Sequence, residues 1–148
     1  MERKDFLKTC GFACLGGIGI SALLESCGTL QVLTGELAGS DLIVPITDFE
    51  IKKANKKEFK RYVIINNDLL KYPICVYRFD AQTYSALWMQ CTHQGTELQV
   101  FGDKLQCPAH GSEFNNKGIM QNGPADTDLR TFPITIEQDN LKISLKAV

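Results

Sequence analysis

Several features that mark familiar classes of protein are scarce or absent in this chain. Its 148 residues include only two histidines and one tryptophan, and the formal net charge is −1. A nearly neutral chain gives no electrostatic basis for binding nucleic acid, which requires a basic surface. The sequence also shows no catalytic triad, no carboxylate pair placed for acid–base chemistry and no phosphate-binding loop. It therefore assigns no substrate chemistry to the chain itself.

A hydrophobic run long enough to span a bilayer is also missing. The apolar, glycine-rich run at residues 11–24 has 14 residues, whereas a transmembrane helix needs about 20. That length is typical of the hydrophobic region of an export signal. Residues 3–8, R-K-D-F-L-K, resemble a twin-arginine motif in which Lys4 replaces the second arginine. We therefore expect residues 1–27 to be an export signal; an uncleaved membrane anchor and a buried helix are the alternatives.

The end of this segment resembles a bacterial lipoprotein signal. Residues 24–28 read L-E-S-C-G, with Glu25 in place of the usual small residue. This resemblance predicts that Cys27 is lipidated and holds the protein at the cell membrane, on the exported side. Residues 28–41 contain three more glycines and few aromatic side chains, which favours a flexible tether with a reach of about 20 Å. Residues 42–148 are then the folded domain.

The six cysteines do not form an obvious disulfide framework. Three precede residue 28, one lies in the body of the domain and two accompany the histidines: Cys10, Cys14, Cys27, Cys75, Cys91 and Cys107. Cys75 has no evident mate, and we expect it to be a buried strand thiol.

Both histidines follow a cysteine at short distance. Residues 91–95 read C-T-H-Q-G and residues 107–112 read C-P-A-H-G-S, so His93 and His110 each share a short segment with a thiol. The thirteen residues 94–106 suit a hairpin that brings the segments together. Two thiolates and two imidazoles can hold iron or zinc. A site without metal, with buried thiols and core histidines, is the remaining alternative.

The pattern C-x-H-x-G followed by C-P-x-H-G-S resembles the Rieske iron–sulfur family. The resemblance implies one 2Fe–2S cluster, with Cys91 and Cys107 on one iron and His93 and His110 on the other. Two neutral imidazoles in place of thiolates reduce the negative charge of the cluster and raise its reduction potential. The resemblance also implies that Ser112 donates a hydrogen bond to the cluster.

The rest of the chain predicts an all-β domain, because short β-branched and aromatic runs alternate with turn residues. The expected strands and hairpins are residues 42–46, 62–65, 73–79, 84–89, 97–106, 131–136 and 141–145. The family resemblance implies a Rieske-like small antiparallel β assembly with a two-loop cluster-binding subdomain. It also implies that a third loop, at residues 122–125, covers the cluster.

Some positions depart from the quinol-oxidising members of that family. Thr96 and Ala109 occupy the positions where those members have the two cysteines of a disulfide, and Phe114 stands where they have a tyrosine. Gln94 replaces the apolar residue that follows their first histidine. The missing tyrosine hydroxyl predicts a potential in the lower or middle part of the family range, which runs from roughly −150 to +300 mV.

The resemblance and the expected signal together predict a membrane-tethered one-electron carrier or an accessory subunit of an oxidoreductase. Its redox partner would be a cytochrome, a molybdenum enzyme or a quinol-oxidising complex at the membrane. Two other functions stay open: a soluble Rieske ferredoxin that feeds an oxygenase, and a zinc-binding structural protein.

Overall fold

The computed structural model describes residues 32–53 and 56–146. Within these ranges the chain forms fifteen strands and one 3-10 helix, Ile46–Phe49, so the all-β prediction is confirmed. All described residues belong to one compact unit. The predicted export segment, including Cys27, lies outside the described residues. None of the helices in the described ranges is long and apolar enough to cross a membrane.

The strands are numbered in chain order. They are β1 (Val32–Thr34), β2 (Glu36–Ala38), β3 (Asp41–Pro45), β4 (Glu50–Lys53), β5 (Lys56–Phe59), β6 (Tyr62–Asn66), β7 (Ile74–Arg78), β8 (Tyr84–Trp88), β9 (Gln99–Phe101), β10 (Lys104–Gln106), β11 (Glu113–Asn115), β12 (Met120–Asn122), β13 (Thr131–Phe132), β14 (Ile134–Glu137) and β15 (Asn140–Ser144).

A five-stranded sheet in the order β1-β6-β7-β8-β13 lies between two hydrophobic cores. Successive side chains of a strand point to opposite faces. Val63 and Val76 therefore enter one core, while Ile64 and Tyr77 enter the other. Because both faces are covered, β6 and β7 are almost continuously apolar. The pairs within this sheet are antiparallel except β1 with β6, which is parallel.

A second sheet, in the order β12-β11-β10-β9, carries the residues singled out in the sequence. The hairpin predicted over residues 97–106 is present as β9 and β10, which pair Val100 with Leu105. Leu105 and Phe114 are paired on β10 and β11 and are both fully buried. The first cysteine–histidine segment lies before β9, and the second joins β10 to β11. This hairpin therefore holds the two segments close together.

A third sheet, in the order β14-β15-β3-β2, covers the core that contains Val63 and Val76. The single strand expected over residues 131–136 is two strands, because Pro133 separates β13 in the five-stranded sheet from β14 in the third sheet. Proline has no N–H to contribute to a ladder, which suits a position where the chain changes sheets. β4 and β5 form a separate two-stranded hairpin.

The flexible tether predicted over residues 28–41 is wrong for residues 32–41. There the chain forms β1, which pairs with β6, and β2, which pairs with β3. Between these strands Gly35 donates a backbone hydrogen bond to the Asn66 carbonyl at 2.9 Å. A Cβ on Gly35 would lie 2.5 Å from side-chain atoms of Leu42 and Ile65. The glycine that indicated flexibility is there because the chain passes tightly over the core.

Candidate metal centre

Two short loops of closely similar backbone geometry hold the cysteines and histidines. The first loop is residues 91–96 and the second is residues 107–112. In each, the N–H of a glycine donates to the cysteine carbonyl four residues earlier, at 2.8 Å for Gly95 and 3.0 Å for Gly111. In each, the cysteine N–H donates at 2.8 Å to the carbonyl of the last loop residue. Both glycines have positive φ, +73° and +79°, a conformation that other residues adopt at a cost.

The four side chains meet as two pairs. The thiols of Cys91 and Cys107 are each 2% exposed and share a side-chain hydrogen bond. The rings of His93 and His110 are exposed and face each other at 5.1 Å between centroids, with an interplanar angle of 83°. The structure therefore brings together the four residues that the sequence singled out, with the sulfurs inside and the imidazoles outside.

The environment of Cys107 favours its thiolate form. Burial by itself raises the pKa of this thiol, but hydrogen bonds from the backbone of Ala109 and His110 and the side chains of Cys91 and Thr96 lower it more. The net effect is a pKa below the ordinary value. Because the thiolate is the form that binds metal, the second loop is arranged for a ligand.

The environment of Cys75, in contrast, favours the protonated thiol. It is fully buried in β7, and burial raises the pKa of its thiol far above the ordinary value. A hydrogen bond with Tyr77 opposes this effect only in part. A thiol that stays protonated in an apolar core is unreactive, so Cys75 acts as a packing residue.

A third loop is attached to both cysteine–histidine loops. The Ala125 N–H donates to the Ser112 hydroxyl at 3.0 Å, and the Thr92 hydroxyl donates to the Thr127 carbonyl at 2.8 Å. Ser112 is fully buried. A hydroxyl that accepts one hydrogen bond still has its own hydrogen to donate. The segment expected to cover the site, residues 122–125, therefore does contact it through Ala125.

The first loop is also held by a residue that sequence reasoning missed. The Tyr72 hydroxyl donates to the Gly95 carbonyl at 2.5 Å. Tyr72 lies 23 residues earlier in the chain, just before β7, and no motif marks it. No cysteine pair can brace the loops, because their positions hold Thr96 and Ala109. The Tyr72 contact is thus a non-covalent brace on the first loop.

The donor set fits a two-iron cluster. A buried thiol pair beside an exposed imidazole pair offers two donors at each of two positions. A Rieske-type cluster requires this arrangement, because one iron is bound by two thiolates and the other by two imidazoles.

Comparison with known proteins gives matches that agree with this geometry. Residues 50–133, more than half of the chain, match the family described as Rieske [2Fe-2S] domain. The cytochrome b6-f complex iron-sulfur subunit of Prochlorococcus marinus (strain MIT 9303) is 38% identical over 56 residues, covering 36% of this chain and 32% of the relative. That of Synechococcus sp. (strain CC9605) is 34% identical with the same coverage. The matched segment spans about a third of these relatives.

A solved structure is also similar. The cyanobacterial plasma membrane Rieske protein PetC3 from Synechocystis PCC 6803 superposes with a TM-score of 0.50 and 29% sequence identity. The match covers 57% of this chain and 86% of that chain.

Proposed function

Because this chain belongs to the Rieske [2Fe-2S] domain family, we propose that it transfers single electrons through one Rieske-type cluster within a membrane redox system. When bound, the cluster accepts and releases one electron. The pairing of buried thiols with exposed imidazoles in two matched loops is the observation that carries the proposal. Anaerobic reductive titration tests it: we expect about one electron per chain, and a cluster-loaded protein that takes up none would contradict it.

The proposed ligands are Cys91 and Cys107 on one iron and His93 and His110 on the other. The inner pair shields its metal from water because both thiols are buried. The outer pair is exposed, so a redox partner can reach the imidazoles directly. Ser112, the fully buried last residue of the second loop, is proposed to donate a hydrogen bond to the cluster, and its buried hydroxyl supports that role.

The partner is proposed to be a redox protein or complex at a membrane. The named relatives are iron–sulfur subunits of cytochrome b6-f complexes, and the similar solved structure is a plasma membrane protein. These names support a cytochrome or a quinol-oxidising complex as the partner here, and a molybdenum enzyme is the third candidate proposed. Gln94 at the exposed tip is less suited to an apolar quinol than to a polar protein surface.

Substitutions at Ser112 and Phe114 are expected to shift the midpoint potential of the cluster. Hydrogen bonds to the sulfurs stabilise the more negative, reduced cluster. Ser112→Ala is therefore expected to lower the midpoint potential by removing a donor. Phe114→Tyr should raise it if the added hydroxyl reaches a ligand sulfur, since Phe114 is packed in the same core as Cys91 and Cys107.

Protein-film voltammetry measures both shifts. Leu98→Met is the matched control, because Leu98 lies in the same core and the substitution adds no donor. A wild-type potential near the upper limit of about +300 mV would contradict the inference from missing donors. So would an unchanged potential in Ser112→Ala.

We also propose that the chain is exported and held at the cell membrane through its N-terminal segment, with Cys27 as the lipidated residue. The L-E-S-C-G sequence at residues 24–28 supports this. Cys27→Ser should then release the protein from the membrane fraction, whereas Cys10→Ser should leave it there. Mass spectrometry of the native protein gives the second readout. An intact Met1 in the membrane fraction would indicate an uncleaved anchor, and an intact Met1 in the soluble fraction would indicate a ferredoxin-like protein.

A further inference from the structure

A cleft with an open volume of about 480 Å³ lies beside the first cysteine–histidine loop. His93 forms part of its wall, and Tyr72 and Trp88 contribute aromatic surface. Lys71 and Arg130 are the positively charged residues of the lining. The lining includes Cys91 and His93 of the first loop but neither Cys107 nor His110, so the cleft lies on the side of the first loop away from the second.

The charge of the cleft is of one sign. No aspartate or glutamate is among the described residues that line it. Within residues 32–53 and 56–146, neither Lys71 nor Arg130 takes part in an ion pair. The two cations lie instead against aromatic rings, with Lys71 Nζ 5.4 Å from the Tyr72 centroid and Arg130 Cζ 5.0 Å from the Trp88 centroid.

Lys71 and Arg130 both have N–H groups that can donate hydrogen bonds to a ligand. One Arg130 nitrogen, Nη2, donates to the Leu145 carbonyl at 3.2 Å, and a guanidinium has five N–H groups in all. Contact with the Trp88 face keeps the guanidinium in place. A ligand with oxygen acceptors would therefore find N–H donors on both cations, since a lysine ammonium has three of its own.

The size of the cleft indicates a small molecule. Pockets for small ligands have volumes of roughly 300–1,000 Å³, and this cleft lies in that range. A single carboxylate side chain from a partner protein would leave most of it empty. Aromatic surface beside two cations suits a planar organic acid better than a bare inorganic ion.

We propose that this cleft binds a small organic carboxylate next to His93, with Lys71 and Arg130 as its charge partners. The binding site itself does not depend on the proposed electron-transfer function. If the cluster is present, an anion beside His93 stabilises the oxidised state, which is the more positive one, so binding lowers the potential. By linkage, the oxidised protein binds the carboxylate more tightly than the reduced protein.

Benzoate is a suitable probe, with benzamide as a neutral molecule of the same shape. Isothermal titration calorimetry of the oxidised, cluster-loaded protein measures affinity. Trp88 is the only tryptophan in the chain, so incorporating 5-fluorotryptophan gives a single fluorine NMR line that reports on the cleft. We expect benzoate to bind and to shift this line, and benzamide to do neither at concentrations up to about 10 mM.

The variants locate the site. Lys71→Gln and Arg130→Gln should each weaken benzoate binding by roughly five- to tenfold, the effect of losing one charge-assisted contact. Lys117→Gln, an exposed lysine away from the cleft, should leave the affinity unchanged. Lys71→Gln is the decisive variant, because Arg130 also packs on Phe132 and its loss could disturb the fold. Absence of benzoate binding, equal binding of benzamide, or full affinity in Lys71→Gln would each overturn the proposal.

Discussion

Replacing Cys107 with serine is expected to abolish the cluster while leaving a chain that still folds. The loss follows from the chemistry of the donor. Hydrogen bonds from both loops lower the pKa of the Cys107 thiol despite its burial, so the loops are arranged around a thiolate. A serine hydroxyl stays protonated and is a poor ligand for iron. Losing an outer-shell partner costs a metal site about 10–100-fold in affinity, and losing a ligand should cost roughly 100-fold or more.

Cys75→Ala is the matched control for this experiment. Cys75 is also a fully buried thiol of the same core, but its raised pKa keeps it protonated. This variant should keep its iron and sulfide and lose only about 1 kcal/mol of stability, as expected for a small core truncation. Iron and acid-labile sulfide per folded chain are the measured quantities. Full cluster content in Cys107→Ser, or its loss in Cys75→Ala, would refute the ligand assignment.

Gly35→Val is expected to destabilise the domain by about 1–3 kcal/mol, the usual cost of forcing extra atoms into a packed core. The added Cβ alone would lie 2.5 Å from side-chain atoms of Leu42 and Ile65. Leu42 is fully buried and Ile65 is 1% exposed, so neither can move aside into solvent. Chemical denaturation of the cluster-loaded protein measures the change in the free energy of unfolding.

Gly39 provides the control for Gly35. It lies in the turn after β2 with φ of +66°, and a Cβ there would meet nothing within 4 Å. Asparagine tolerates this left-handed conformation, so Gly39→Asn should change the free energy of unfolding by no more than about 0.5 kcal/mol. If Gly35→Val were equally harmless, residues 32–41 would behave as the flexible tether and not as strands of the domain.

The sequence predicted the cysteine–histidine loops and the central strands better than it predicted the short strands β1 and β2. Cysteine–histidine segments separated by a short hairpin are local patterns, and the chemistry of the donors limits what they can hold. The strands β6 and β7 were also predictable, because strands buried on both faces are nearly continuous apolar runs. In both cases the information lies within a few neighbouring residues.

The features that were missed depend on contacts distant in the sequence. β1 and β2 have three residues each, and the intervening Gly35 indicated a tether. What fixes them is pairing with β6 and β3, which no local pattern reveals. Tyr72 likewise looks like an ordinary strand-flanking aromatic residue, and only the fold brings its hydroxyl to the Gly95 carbonyl.

The reduction potential of the proposed metal centre also depends on contacts between residues that are distant in the sequence. The spacing of the motifs predicts which side chains meet. It does not predict that the Ala125 N–H occupies one acceptor position of the Ser112 hydroxyl. Contacts of this kind decide which hydrogen atoms are available to the cluster.

The most direct test of the account is the content of iron, acid-labile sulfide and zinc in protein matured with a working cluster-assembly system. The proposed centre requires about two iron and two sulfide per chain, without stoichiometric zinc. In the Cys107→Ser variant both iron and sulfide should fall together. One zinc per chain with no labile sulfide would contradict the account, because the same four side chains would then hold a single structural ion and carry no electron.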